Sequence, residues 1–112
     1  MEMIRFPFKR EMIDQIFKGN KICTWRSKTW GESGTGFELE HCGEVRRFKI
    51  LGVVPMQPWY VGEFLYISEG FSSRERFLNY LQALKTPRWL DVEQWGYEHF
   101  FMRIDSDGRQ GN

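Results

Sequence analysis

The spacing of apolar residues changes near the start of this chain, and that change limits what the chain can fold into. Met3 to Phe8 alternates, with Ile4, Phe6 and Phe8 on one side and Met3, Arg5 and Pro7 on the other. Period-two alternation is the mark of a strand, and Pro7, which has no backbone donor, places it at a sheet edge. From Lys9 to Lys18 the period becomes helical. Met12, Ile13, Ile16 and Phe17 form an apolar stripe, Asp14 and Lys18 make an i,i+4 pair, and Gly19 suits the C-terminal cap. Cys23 to Arg26 then reads as a short strand, so a tight turn, Gly19-Asn20-Lys21, separates helix from strand.

Ser27 to Gly36 carries Gly31, Gly34 and Gly36 in a polar setting and reads as a loop. Phe37 to His41 is a further strand candidate, and Gly43 turns the chain. From Val45 alternation returns, with Phe48 and Ile50 opposed to Arg47 and Lys49. It then becomes apolar on both faces through Leu51, Val53 and Val54, with Gly52 marking a bulge. Pro55 and Pro58 break this strand, and Tyr60 to Ile67 has room for one or two helical turns. Ser72 with Glu75 fits a capping box. It opens a helix with Phe77, Leu78, Leu81 and Leu84 on one face, expected to stop before Pro87. Arg88 to Gly96 reads as a loop or short helix, and Tyr97 to Ile104 as a closing strand. About five strands, one helix after the first and one before the last, predict an α+β fold: a small twisted sheet curling into a barrel, flanked by two helices. Residues 1–104 form a single domain on this reading, and 105–112 a frayed polar tail.

Sixteen Lys plus Arg against fifteen Asp plus Glu leave a net charge of +1. A clamp for a long duplex carries a strong basic excess, so a nucleic-acid partner is expected to be met over a small patch or as one nucleoside. Aromatic residues make up 17% of the chain, enough to fill a core or to build a base-stacking platform. No apolar run is long enough to span a membrane, and the N-terminal residues lack the apolar core of a secretory signal. Cys23 and Cys42 have no CxxC spacing and fit free thiols in a reducing cytoplasm. His41 and His99 lack metal-ligand spacing, so structural roles and no metal site are expected. No cofactor motif is present.

The residues with chemical potential gather around the turn. In a regular strand Thr24 and Arg26 share one face, while Cys23 and Trp25 point to the other. Lys21, in the turn, curls back over the strand entrance, so an amine, a hydroxyl and a guanidinium surround one mouth. Threonine becomes a nucleophile only when a base takes its proton, and lysine serves as that base only with a lowered pKa. A carboxylate opposite, such as Glu69, would position the amine or relay protons. Taken singly, each residue also has a plain reading: Lys21 as a solvated turn residue, Thr24 as sheet packing, Arg26 as an ion-pair or loop-pinning residue, Glu69 as the end of a helical turn.

The run Ile16-x-x-Gly19-x-Lys21-x-x-Thr24-x-Arg26, the glycine loop, the β-rich middle and Glu69-Gly70-Phe71-Ser72-Ser73 before an amphipathic helix together resemble the ASCH domain. The resemblance spans about Ile4 to Ile104. It implies a PUA-like β-barrel and an association with RNA. One small branch of the family hydrolyses the acetyl amide of N(4)-acetylcytidine with a Lys, a Thr and a Glu. By that resemblance the catalytic set falls on Lys21, Thr24 and Glu69, and Arg26 matches the family's arginine. The sequence departs from the family at Ile22, where a small polar residue is common, and at Phe37, where Gly-Asp is common.

Two functional readings follow. One is an RNA- or nucleoside-binding module in which Lys21, Arg26 and Lys28 meet phosphates and Trp30 stacks on a base. The other is an amidohydrolase for N(4)-acetylcytidine, with Thr24 attacking, Lys21 as base, Glu69 assisting and Arg26 at the oxyanion.

Overall fold

The computed structural model describes residues 1–104; the expected tail, 105–112, lies outside the described residues. Helix α1 spans Arg10–Phe17, strand β1 Cys23–Arg26, β2 Gly36–His41 and β3 Glu44–Met56. Helix α2 covers Pro58–Phe64, α3 Arg74–Lys85, and β4 Gly96–Arg103. The strands form one antiparallel sheet in the order β1-β4-β3-β2, curled into a half-barrel that, with the helices, makes the α+β fold expected. No helix among the described residues is long and apolar enough to cross a membrane.

Both faces of the sheet are covered. On one side Phe6, Ile16, Phe37, Phe48, Ile50 and Phe101 form the main core beneath α1. Phe37 is fully buried, with the rings of Phe6, Phe48 and Phe101 centred 5.1, 5.4 and 5.5 Å away. Each such ring contributes about 1.5–3 kcal/mol through burial. On the other side Trp25 packs with Val61, Phe77 and Leu81, joining the sheet to α2 and α3.

The helical spacing of Met12 and Ile16 is realised, since both are buried, and Lys18 pairs with Asp14 at 2.9 Å. Gly19 has φ +83°, and its N–H donates to the Ile16 carbonyl while that of Asn20 reaches Gln15. These are the two bonds of a Schellman cap. The bulge falls where Gly52 indicated it, with the register shifting between Ile50 and Gly52. Pro55 does not break β3, which runs on to Met56 opposite Gly96. Because β2 pairs only up to Lys49, Pro55 lies where β3 has a ladder on one side alone and a missing donor is tolerated.

Other expectations are corrected. The first predicted strand is reduced to a parallel bridge between Met3 and Gly36; the alternation there reflects Phe6, buried in the core, rather than a ladder. Among the described residues there are four strands and three helices, where about five and two were expected. The N-cap of α3 is Ser73, not Ser72: its hydroxyl accepts from the Arg76 N–H at 3.1 Å, while Glu75 pairs with Arg74 instead of reaching back.

Gly96 starts β4 where the Trp25 ring lies across the backbone. A Cβ there would meet that ring and sit 2.7 Å from the Arg26 carbonyl oxygen. We expect Gly96→Ala to destabilise the fold by about 1–3 kcal/mol through overpacking, read as a lowered urea midpoint with unchanged cooperativity. An unchanged midpoint would show that Trp25 can move aside.

Candidate functional site

The cap that ends α1 aims the next residue. The Lys21 N–H also reaches the Gln15 carbonyl, and Ile22 N–H donates to Ser68 at 2.8 Å. The turn after α1 is therefore fastened to the turns that follow α2. There Glu69 N–H bonds back to Leu65 and Phe71 N–H to Tyr66. Gly70 sits at φ +97°, and a Cβ on it would lie 3.1 Å from Lys21 Cβ. Glycine is thus required at 70 both for the left-handed backbone and for the close approach of Lys21.

The Lys21 ammonium donates to Glu69 twice, at 2.9 Å to its carbonyl oxygen and at 2.9 Å to Oε1. Both side chains are almost wholly removed from water, at 2% and 3% exposure. The reading of Lys21 as a solvated turn residue is overturned, as is that of Glu69 as a mere helix end. Thr24 is buried on edge strand β1 opposite His99, and Arg26 Nε approaches its hydroxyl oxygen at 3.5 Å. The guanidinium of Arg26 also donates to the Pro7 carbonyl. Its carbon lies 4.7 Å from the ring centre of Phe6 and 4.8 Å from that of Phe8. Burial pulls the Arg26 pKa down, with Glu69 and Tyr80 opposing, yet an arginine remains charged.

Lys21, Thr24, Arg26 and Glu69 line one cavity of about 330 Å³ at the β1 edge, walled by Phe8, Met12, Trp25, Phe77 and Leu81 and flanked by Tyr80. Its size falls at the small-ligand end of the usual range. The lining combines these polar groups with rings and aliphatic chains. Sequence reasoning brought these four polar residues together; the α3 wall and Tyr80 were not legible, because α3 reads only as a core-facing helix.

Lys28 and Trp30 do not line this cavity. Lys28 is exposed, while Trp30 packs on the core and stacks on Phe6 at 5.9 Å. Trp30 is therefore no open stacking platform. Its N–H donates to His99 Nε2 at 2.9 Å, so the ring proton lies on Nδ1, facing the carbonyls of Thr24 and Tyr97 at 3.3 and 3.1 Å. Burial lowers the His99 pKa, and the ring ties the glycine loop to β1 and β4 as a neutral strut. His41 donates to Asp14 at 3.1 Å. Cys23 is a buried free thiol and Cys42 an exposed one.

Glu98 was missed altogether. It lies in mid-β4 opposite Trp25, fully buried. Its carboxyl, that of Glu69 and the Cys23 sulfur come within 4.8 Å of one another. Burial, then the charge of Glu69, pushes its pKa well above the ordinary carboxylate range.

A buried ion pair is strongly destabilised by loss of one member, because the other is left uncompensated. Lys21→Met is expected to cost about 3–5 kcal/mol in urea unfolding. Adding Glu69→Leu should recover most of that loss. A double variant no more stable than the single one would show that the two side chains do not answer each other.

No family model matches the sequence, and no curated protein matches it. Two solved structures match in fold. One is an ASCH domain from Lactobacillus crispatus, with TM-score 0.63 and 13% identity over 91% of this chain and 78% of that one. The other is a protein from Enterococcus faecalis of the DUF984 family, with TM-score 0.65 and 14% identity over 100% of this chain and 86% of that one. The architecture of this chain, from the helix before β1 to the closing strand β4, is therefore the ASCH-domain fold.

Proposed function

We propose that the cavity at the β1 edge binds one nucleoside, free or at an unpaired position in RNA. The observation that carries this reading is that one cavity is lined both by rings and aliphatic chains and by the polar groups of Lys21, Thr24, Arg26 and Glu69. A planar base is matched by the rings and aliphatic chains, and its polar edge by the donors and acceptors. The near-neutral net charge and a lining that does not include Lys28 argue against a phosphate track along a duplex.

The Lys21–Glu69 bond favours a second reading, removal of the acetyl group from N(4)-acetylcytidine. Lys21 passes one proton to Glu69 Oε1 and, now neutral, accepts the proton of Thr24. Threonine Oγ forms a bond to the acyl carbon, and the oxyanion that develops is met by the Arg26 guanidinium. Collapse breaks the C–N bond, and the cytosine amine leaves with a proton returned through Lys21 and Glu69. Water then hydrolyses the threonine ester, releasing acetate. The desolvated setting strengthens each of these electrostatic contacts.

Purified protein is titrated with cytidine and with N(4)-acetylcytidine, and cytidine release is followed. Saturable binding with turnover is expected. Thr24→Ala should lower the rate by roughly a thousandfold or more while retaining affinity. Binding without turnover would leave the first reading alone, and full turnover in Thr24→Ala would remove the nucleophile assignment. Absence of binding to either nucleoside would sink both.

A further inference from the structure

We propose that Glu98 stands behind the Lys21–Glu69 pair as a neutral carboxylic acid that donates its proton to Glu69 Oε2, making it the positioning residue for that glutamate. Its bearing on turnover rests on the hydrolytic reading above; the shared proton does not.

Lys21 is committed to Glu69 Oε1 and the Glu69 carbonyl. That leaves Glu69 Oε2 and both oxygens of Glu98 buried without a formed hydrogen bond, the weak thiol donor of Cys23 being close to Glu98. Three orphaned acceptors in one place are costly. The groups facing Glu98 are few. The β1 side supplies the Cys23 thiol and, just before it, Lys21; the segment after α2 supplies Glu69. α3 contributes Phe77 and Leu81 to this side of the sheet, with Leu78 and the phenol of Tyr80, which feels the charge of Glu69, packed against them. His99, next along β4, serves the opposite face against Phe6 and Trp30.

Lys21 is the cation bonded to this group, while Arg26, whose charge also acts on Glu69, donates to the Pro7 carbonyl; two adjoining buried carboxylates do not both ionise. A single proton on Glu98 removes their repulsion and gives Glu69 Oε2 a donor. Glu69 is then fixed as the carboxylate, turned toward Lys21 and the cavity. A cation held by Cys23, Glu69 and Glu98 fits less well. It would need a thiolate, whereas burial and the two glutamates push the Cys23 thiol far up, and Lys21 already occupies Glu69.

Urea unfolding of the wild type and Glu98→Gln is compared across pH. Folded Glu98 keeps its proton above the ordinary value of 4.5, where the unfolded chain has lost it. The wild type's folding constant, relative to that of the variant, should therefore fall by up to about tenfold per unit as the pH rises above that ordinary value. His99 is neutral in both proteins and drops out of the ratio. Parallel profiles would overturn the proposal. Should Glu98→Gln not fold, infrared spectra of wild type carrying carboxyl-labelled glutamate decide. A protonated-acid band at neutral pH that shifts in heavy water supports the proposal, and its absence overturns it. For positioning, Glu98→Gln, whose amide still donates to Oε2, should keep N(4)-acetylcytidine turnover, and Glu98→Leu should lose it. The reverse order would exclude the role. If the wild type itself has no turnover, the hydrolytic reading fails, and the pH comparison still decides where the proton lies.

Discussion

An ammonium taken out of water has to be answered by a carboxylate, and the geometry around this cavity follows from that requirement. Lys21 reaches Glu69 because a Schellman cap turns the chain at Gly19 and because Gly70 leaves space beside Lys21 Cβ. The two residues are 48 positions apart, so their bond also fastens the end of α1 to the turns after α2. Such a pair is a poor device for stability, since apolar residues of similar volume hold a core as well or better. Its place at the wall of a cavity, beside a threonine and an arginine, is what the proposed reading draws on.

The aromatic content has a related explanation. Composition left open whether the rings fill a core or offer a surface for bases. Most fill the core, and Phe6, Phe8 and Trp30 do something further by surrounding Arg26. Rings hold a guanidinium through cation–π attraction without neutralising it, unlike a carboxylate. Arg26 is thereby immobilised with its charge intact next to Thr24, which suits a group meant to meet an anionic or carbonyl oxygen.

Periodicity made the fold largely legible, and the site partly so. The stripe of α1 and the bulge at Gly52 follow from local sterics and burial, which a sequence displays. The cap of α3 moved by one residue because Ser72 and Ser73 are chemically equal and only the backbone chooses between them. Lys21, Thr24 and Arg26 were found because one turn and one strand place them together, and Glu69 through the resemblance alone. Lys28 and Trp30 were assigned by residue type, and neither type encodes direction: one points to solvent, the other into the core. Glu98 was invisible for a different reason. A charged residue alternating with apolar ones reads as the wet face of a strand, but β4 is covered on both sides, by the main core and by the α2–α3 layer.

On the proposed reading, the resting charge balance also sets what the cavity offers a ligand. With Glu98 neutral, Glu69 carries the carboxylate charge that answers Lys21. Both side chains are almost wholly removed from water before any ligand enters, so their bond, and not solvent, holds the pair in place. Burial favours the uncharged forms of an acid–base pair, which is the direction of the proton transfer that the hydrolytic reading requires. The same residues thus meet a ligand already desolvated, without any movement of the sheet that positions them.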